Sequence, residues 1–143
     1  MSTPDYIRSF DLLSLSDIPL VGGKTASLGE LHRLLQGARV NVPQGFAITA
    51  EAYRDAVTRA GAWGELKARL ADLDPEDVED LARRAAAARR IIYEAAADEA
   101  LCAQIVEAFR RMRDACGGEL SVAVRSSATA EDLPTASFAG QHD

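Results

Sequence analysis

Residues 22–27, Gly-Gly-Lys-Thr-Ala-Ser, place a glycine pair, a lysine and two hydroxyl residues at the start of a helical pattern. Glycines there let the backbone approach an anion closely, and the amide groups at a helix start favour negative charge. Lys24 adds a mobile positive charge at the same end. The spacing does not fit a Walker A loop. The segment predicts phosphate binding, and the alternative is a plain glycine loop before a surface helix, with Lys24 merely exposed.

A second segment that suits a polyanion lies near the end of the chain. Arg125 offers a planar, permanently charged fork to phosphate oxygens, and a run of hydroxyl residues follows it. A charged hydrogen bond of this kind contributes about 1.5–3 kcal/mol net. The small residues from Ser137 to Gln141 predict a flap that folds over phosphates. In the alternative interpretation, Arg125 pairs with Glu131 or Asp132 and the loop is only a connector.

Short strands and one helix would position these two segments. Tyr6 to Phe10 predicts an edge strand, and Phe46 to Thr49 predicts a buried strand after a turn. Ser14 to Val21 is expected as a loop because Pro19 disfavours a regular helix. Leu120 to Arg125 alternates, which predicts a strand ending on the arginine. The helix that opens at the glycine pair should end at Gly37, and its predicted apolar face is Leu28, Leu31, Leu34 and Leu35.

Three further helices are predicted in the middle of the chain. Thr49 can cap the first, which has Tyr53 and Val57 on its inner face and is broken by Gly61 and Gly64. Asp74-Pro75 should start the second, whose apolar face is Val78, Leu81, Ala85 and Ile92. The third should run from about Asp98 to Ala115 and stop at Gly117-Gly118. Its inner positions are Leu101, Ile105, Ala108, Phe109 and Met112.

Composition narrows the function classes. The chain has 143 residues and a net charge of −6, which argues against a general nucleic-acid surface. Arg83, Arg84, Arg89 and Arg90 lie in a helical context with acidic residues upstream, which favours a solvated helix face. No apolar run is long enough to span a membrane, and charges near the N-terminus disfavour a signal peptide.

The cysteines and histidines do not form a recognisable site. Cys102 and Cys116 lack the short spacing of a zinc site, and we expect reduced thiols in a cytoplasmic protein. His32 falls within a helical pattern and is expected to be a helix-face residue, and His142 lies in unrelated surroundings. No metal ligand is predicted in this chain.

Three stretches together resemble a known family. They are Leu20 to Leu31, Val42 to Thr49 and Val122 to Gln141, and the last contains a long, specific run from Arg125 to Pro134. They are similar to the N-terminal nucleotide-binding region of phosphoenolpyruvate synthase (pyruvate, water dikinase). Pyruvate, phosphate dikinase and rifampin phosphotransferase share this architecture. The alanine-rich middle of the chain contributes little to the resemblance.

The resemblance implies an α+β fold: the N-terminal subdomain of an ATP-grasp domain, with several helices packed on a small mixed or antiparallel sheet. It implies that Lys24 and Arg125 hold ATP phosphates and that the loop of Ser137, Phe138, Ala139 and Gln141 closes over them. Backbone contact is expected near Gly140. In the family, magnesium bridges the nucleotide phosphates, and a phosphoryl group passes from ATP to a histidine on a separate domain. The synthase converts ATP, pyruvate and water to AMP, phosphoenolpyruvate and phosphate.

This sequence departs from the family pattern and covers only part of it. Thr25 stands where many relatives carry asparagine or glycine, and Gln44 replaces a frequent second proline, but neither change removes a charge. The other ATP-grasp half, the phosphohistidine domain and the pyruvate barrel are absent from residues 1–143. We therefore expect no catalytic residue in this chain, no activity of the chain alone, and magnesium ligands elsewhere.

Three other readings stay open at this point. A rifampin phosphotransferase differs from the synthase in its acceptor, which these residues do not contact. A non-catalytic nucleotide-binding module would keep only the phosphate wall. A helical interaction domain with incidental glycine loops would need neither cation. Expected partners are ATP and an acceptor bound by other domains, without nucleic acid or membrane, and an unpaired strand edge would favour self-association.

Overall fold

The computed structural model of the chain describes residues 5–35, 37–38, 40 and 42–129, and the backbone of residues 132–133 and 136–137. Its helices are α1 (Ile18–Val21), α2 (Gly23–Leu35), α3 (Ala50–Arg59), α4 (Trp63–Leu70), α5 (Val78–Ala95) and α6 (Glu99–Ala115). Its strands are β1 (Ile7–Ser9), β2 (Phe46–Ile48), β3 (Asp132–Leu133) and β4 (Ala136–Ser137). The mixture of helices with small antiparallel sheets is α+β, as predicted.

The chain divides into two compact units. The first comprises Met1–Glu51 and Ala103–Asp143, and the second comprises Ala52–Cys102. No helix within the described residues combines the length and the apolar character that crossing a membrane requires.

In the first unit, β1 and β2 form an antiparallel pair in which Ile7 faces Ile48 and Ser9 faces Phe46. Both strands were predicted, and their positions are confirmed. The pair is continued by a hydrogen bond from the Thr49 amide to the Tyr6 carbonyl, at 2.9 Å. The neighbouring core consists of Leu13, Val21, Ala26 and Ala47, with Phe10 and Leu20 packed against it.

Helix α2 packs through its small residues rather than its leucines. Ala26 and Gly29 are the buried positions of α2, whereas Leu31 and Leu34 are 49% and 65% exposed. A Cβ on Gly29 would lie 2.4 Å from the Cβ of Leu13, so glycine permits this close approach. The predicted leucine face was therefore wrong at Leu31 and Leu34. The side of α2 that is buried is the one where its backbone comes close to Leu13, at Gly29.

The segment before α2 also differs from the prediction. Ser14 to Val21 is not a loop: Leu15–Asp17 forms a turn of 3-10 helix and α1 follows directly. Pro19 lies in the first turn of α1, where its missing N–H would have no intrahelical partner in any case. The end of α2 is as predicted, since Gly37 has a φ of +93° shortly after the last helical residue.

The second unit is built on helices α3, α4 and α5. Its core contains Val57, Leu66, Ala88, Ile91 and Ala95. Val57 was predicted to face inward and is 1% exposed, but Tyr53 is 43% exposed and stacks edge-on against Trp63 instead. Gly64 does not break a helix as predicted, because it lies inside α4.

Helix α5 starts later and buries other residues than predicted. Its N-cap is Asp77, whose carboxylate accepts a hydrogen bond from the Asp80 amide at 3.0 Å. Asp74 accepts from the Glu76 amide at 2.9 Å and forms a turn that precedes the helix. Val78 is 72% exposed, and the buried face is Ala88, Ile91 and Ala95. Asp74 and Asp77 can both accept from backbone amides, so the sequence did not determine at which of them α5 starts.

Helix α6 agrees with the prediction. It runs from Glu99 to Ala115, Leu101 is buried, and the other predicted inner positions are half-buried. The amide of Leu101 donates to Asp98 at 2.8 Å, so that aspartate caps the first turn. Gly117 and Gly118 follow with φ values of +87° and +113°, which ends the helix.

Candidate functional site

The glycine–lysine segment lies where α1 passes into α2. Gly22 joins the two helices with φ 81° and ψ 162°, a backbone conformation essentially restricted to glycine. A Cβ on Gly22 would lie 2.4 Å from the hydroxyl oxygen of Ser127 and 2.7 Å from the carbonyl oxygen of Ala128. Glycine is therefore required here for two reasons: the backbone conformation, and the lack of room for a side chain. The room is taken up by Ser127 and Ala128, in the segment that follows Arg125.

Two hydrogen bonds join the start of α2 to that same segment. The amide of Gly23 donates to the carbonyl of Ala128 at 3.3 Å, and the amide of Thr25 donates to the hydroxyl of Ser127 at 3.2 Å. The second bond spans 102 positions in sequence. The two donors lie on either side of Lys24. The two segments that sequence analysis singled out are thus in direct contact.

Lys24 and Arg125 both have exposed side chains beside this contact. Covalent geometry and the Thr25–Ser127 hydrogen bond together hold their Cα atoms within roughly 15 Å of each other. Both side chains are long and flexible, so a single polyphosphate can contact both. Within residues 5–129 as described, Arg125 forms no side-chain hydrogen bond or ion pair. The side chains of Glu131 and Asp132, its alternative partners, lie outside the described residues.

The helix-start amides behave differently from the expectation. The glycine pair was expected to present free amide groups that point outward to an anion. The amides of Gly23 and Thr25 instead donate to Ala128 and Ser127. These two donors are satisfied within the chain and are therefore not free to bind an anion.

The arginine does not end a β-strand. Residues 119–128 have neither helical nor strand structure, Val122 is 48% exposed and Val124 is 93% exposed. The predicted strand from Leu120 to Arg125 is therefore wrong for this structure. Alternating apolar and polar residues are compatible with a strand that has one buried face. A strand also needs a neighbouring strand for its N–H and C=O groups, and no described strand pairs with this segment.

The predicted phosphate flap falls mostly outside the described residues. Ala136–Ser137 forms a two-residue strand that pairs antiparallel with Asp132–Leu133. Phe138, Ala139, Gly140 and Gln141 lie outside the described residues, as does His142. Their expected roles over the phosphates stay predictions.

His32 lines a cavity away from the two cations. The cavity has a volume of about 170 Å³, and its lining includes neither Lys24 nor Arg125. The His32 Nδ1 atom is buried and has no hydrogen-bond partner among the described residues. Asp11, 21 positions before His32 in sequence, lines the same cavity. The remaining lining residues are Ser9, Phe10, Gln44 and Gly45.

Three of the four arginines of α5, all except Arg89, form ion pairs along their own helix. Arg83 and Arg84 both form ion pairs with Asp80, and Arg90 pairs with Glu94 at 3.8 Å. Burial alone would raise the pKa of Asp80, but the hydrogen bonds from the two arginines outweigh it and lower that pKa. Arg83, Arg89 and Arg90 are exposed, as expected for the solvated helix face that the sequence predicts. Arg84 differs, because it is half-buried and also donates to the carbonyls of Arg69 and Ala71.

The importance of Ser127 was not apparent from the sequence. There it is one of several hydroxyl residues after Arg125, whereas in the structure its hydroxyl accepts a hydrogen bond from the Thr25 amide, next to Lys24. No periodicity links positions separated by 102 residues. The available signal was Gly22. A glycine can mark a position where φ is positive and where a neighbouring segment comes too close for any side chain, and Gly22 meets both conditions.

Comparison with known proteins identifies the family of this chain and several relatives. Residues 18–143 match the family described as pyruvate phosphate dikinase, AMP/ATP-binding domain. A phosphoenolpyruvate synthase from Neisseria meningitidis is 49% identical over 140 residues, which are 97% of this chain and 18% of that protein. A phosphoenolpyruvate synthase from Pseudomonas aeruginosa is 48% identical over 139 residues, 97% of this chain and 17% of that protein.

A rifampicin phosphotransferase from Streptomyces sviceus is 40% identical over 141 residues, 99% of this chain and 15% of that protein. The chain thus spans less than a fifth of the length of these curated relatives. The family match includes the start of α2, with Lys24, and the segment from Arg125 to Ala128 that contacts it. The chain belongs to the pyruvate phosphate dikinase AMP/ATP-binding domain family.

Proposed function

We propose that this chain forms the wall of an ATP site that holds the nucleotide phosphates in a phosphoenolpyruvate synthase-type phosphotransferase. It would be the N-terminal part of an ATP-grasp domain in a longer protein. The observation that carries the proposal is the pair of hydrogen bonds on either side of Lys24, which join it to the segment after Arg125. The family match and the similarity to phosphoenolpyruvate synthases support the same assignment.

The proposed chemistry requires charge and position rather than a reactive side chain. Phosphoryl transfer depends on positioning and on neutralising the charge of the transferred group. Arg125 can contact two phosphate oxygens at once through its fork, and Lys24 adds a compact, strongly hydrated point charge. The loop from Ser137 to Gln141, with a backbone contact at Gly140, would close over the phosphates and exclude water.

Magnesium would neutralise the remaining phosphate charge when it is bound with ATP. Among the described residues, no cluster of three or more histidine, cysteine, aspartate or glutamate side chains could hold a metal ion. The donors present at this site are cationic and do not fit a metal ion, so its ligands would come from ATP and from another part of the protein.

The acceptor belongs to other domains in this proposal. Pyruvate would receive the phosphoryl group through a phosphohistidine. The product would be phosphoenolpyruvate, the compound that the synthase relatives are named for. The similarity to a rifampicin phosphotransferase shows that a related chain occurs in a protein named for a different acceptor. We place the protein in the cytoplasm, which the two free cysteines, Cys102 and Cys116, support.

The test uses the complete product of the gene that encodes this chain. Lys24→Ala and Arg125→Ala should each raise the dissociation constant for MgATP by roughly tenfold to a hundredfold, since each removes a charged hydrogen bond. Isothermal titration calorimetry measures this constant, and AMP release from ATP measures turnover. Residues 1–143 alone should release no AMP.

Arg89→Ala is the matched control, because Arg89 is exposed on α5 and forms no hydrogen bond or ion pair with another described residue. It removes the same charge from the chain and should leave ATP affinity unchanged. Normal ATP affinity and turnover in both Lys24→Ala and Arg125→Ala would refute the proposal.

A further inference from the structure

We infer that Ser127 is a positioning residue for the phosphate site, and that its hydroxyl fixes the location of Lys24 relative to Arg125. The inference rests on the proposed function and adds to it a residue that need not contact the nucleotide. Ser127 lies two positions after Arg125, and its hydroxyl accepts the hydrogen bond of the amide that follows Lys24, at 3.2 Å. Among the described residues, this side chain forms a hydrogen bond between the two cation-bearing segments.

The start of α2 needs an external acceptor. The first amides of a helix have no partner within the helix, and a residue just before the helix usually caps them with its side chain. Here that preceding residue is Gly22, which has no side chain. Ser127, distant in sequence, accepts from Thr25 instead, and the Ala128 carbonyl accepts from Gly23. The cap of α2 is therefore supplied by the segment that carries Arg125.

The contact leaves little freedom for the Ser127 side chain. Its hydroxyl oxygen would lie 2.4 Å from a Cβ at position 22, and its backbone carbonyl carbon 2.8 Å from the same point. Ser127 itself is half-buried, although Arg125 and Ser126 before it are exposed. The two segments are thus held at one separation on both sides of Lys24, while the Lys24 and Arg125 side chains remain exposed.

If Ser127 were only a helix cap, its substitution would affect nucleotide binding differently than if it positions Lys24. A cap alone would change the stability of the chain without altering its preference between nucleotides. A positioning residue would weaken binding of ATP, which has the full phosphate chain, more than binding of AMP, which has one phosphate. The ratio of the two dissociation constants therefore separates the two roles.

The experiment compares Ser127→Ala and Ser127→Cys in the complete gene product. Cysteine keeps the shape of serine but is a weak acceptor, so both variants should lose the hydrogen bond to Thr25. We expect the dissociation constant for MgATP to rise about threefold to tenfold in both, and that for AMP to change by less than about twofold. Ser121→Ala, which removes an exposed hydroxyl six positions upstream, should change neither constant.

Hydrogen exchange measured by mass spectrometry on peptides that contain Thr25, in the complete gene product, gives a readout that needs no nucleotide. The Thr25 amide should exchange faster in Ser127→Ala and Ser127→Cys than in the unmodified chain. The inference is overturned if ATP and AMP binding weaken equally, if ATP affinity is unchanged, or if Ser127→Cys behaves like the unmodified protein. Those results leave the proposed function intact as long as Lys24→Ala and Arg125→Ala still lose ATP affinity.

Discussion

Gly22 packs directly against Ser127: a Cβ at position 22 would lie 2.4 Å from the serine hydroxyl oxygen. Contacts between real Cβ atoms and their neighbours are essentially never this short. The positive φ of +81° adds a second reason for glycine. Residues separated by about a hundred positions are therefore matched to each other, and a change at either one should be detectable at the other.

We predict that Gly22→Ala destabilises the chain by about 1–3 kcal/mol, because alanine must adopt a strained backbone conformation and displace Ser127. Urea unfolding measures the change. Gly64→Ala is the control: Gly64 lies inside α4, and a Cβ there meets no atom within 4 Å. That substitution should be neutral or stabilise the chain by up to about 1 kcal/mol. Equal stability of the two variants would contradict the close contact at Gly22.

We predict that Asp98→Ala lowers the free energy of unfolding by about 1 kcal/mol at neutral pH, because it removes a helix cap. Asp98 accepts hydrogen bonds from Arg59 at 2.7 Å and from the Leu101 amide at 2.8 Å. These bonds lower the pKa of Asp98 below its ordinary value of 3.8.

The lowered pKa gives the Asp98 contribution a defined pH dependence. A carboxyl with a lowered folded-state pKa stabilises the fold above its unfolded-state pKa, and this stabilisation is lost as pH falls through the folded-state pKa. The difference between Asp98→Ala and the unmodified chain should therefore shrink below about pH 4. Urea unfolding at pH 7 and pH 3 measures it, with Glu119→Ala as an exposed control. A constant difference between the two pH values would exclude this explanation.

We predict that Arg84→Ala lowers the melting temperature by roughly 3–6 °C. Its guanidinium donates to the carbonyls of Ala71, at 2.8 Å, and Arg69, at 3.3 Å, and also bonds to Asp80. These bonds satisfy carbonyl groups at the end of α4. Arg89→Ala removes the same charge from the same helix without breaking a bond between described residues, so calorimetry should show little change. If both variants lowered the melting temperature by a similar amount, the cause would be the change in net charge and not the lost hydrogen bonds.

We predict that Leu66→Ala destabilises the chain by about 2–5 kcal/mol, because it leaves a cavity in the core of the second unit. Leu66 is 6% exposed and contacts the cluster that includes Val57 and Ile91. Leu70→Ala is the control on the same helix, since Leu70 is 48% exposed. Chemical denaturation should separate the two variants clearly, and comparable losses would show that the buried face of α4 has been assigned wrongly.

Local signals in the sequence were sufficient where one residue determines the backbone. The end of α6 follows from Gly117 and Gly118, and the inner face of that helix follows from its regular spacing. The short strand β2 follows from the turn residues before it, and β1 lies within the strand predicted from Tyr6 to Phe10. For the site, residue type and spacing singled out Lys24 and Arg125 separately, and the family resemblance implied that both hold ATP phosphates. The structure brings their segments into contact, and the phosphate role stays a prediction.

Features that depend on a distant partner could not be predicted in the same way. Apolar spacing on α2 pointed to Leu31 and Leu34, but the helix approaches Leu13 through Gly29. Alternation in Leu120 to Arg125 described a strand without indicating what would pair with it. Ser127 was one hydroxyl among several until its position beside Thr25 was known.

The ion pair between Arg59 and Asp98 has a consequence for how the chain tolerates changes in length. These residues lie near the two ends of the second unit, and their side chains are 2.7 Å apart although 39 positions separate them in sequence. The chain between them begins and ends at nearly the same place. We therefore expect that residues inserted or deleted in its exposed turns, for example around Asp72, leave the separation of Arg59 and Asp98 unchanged.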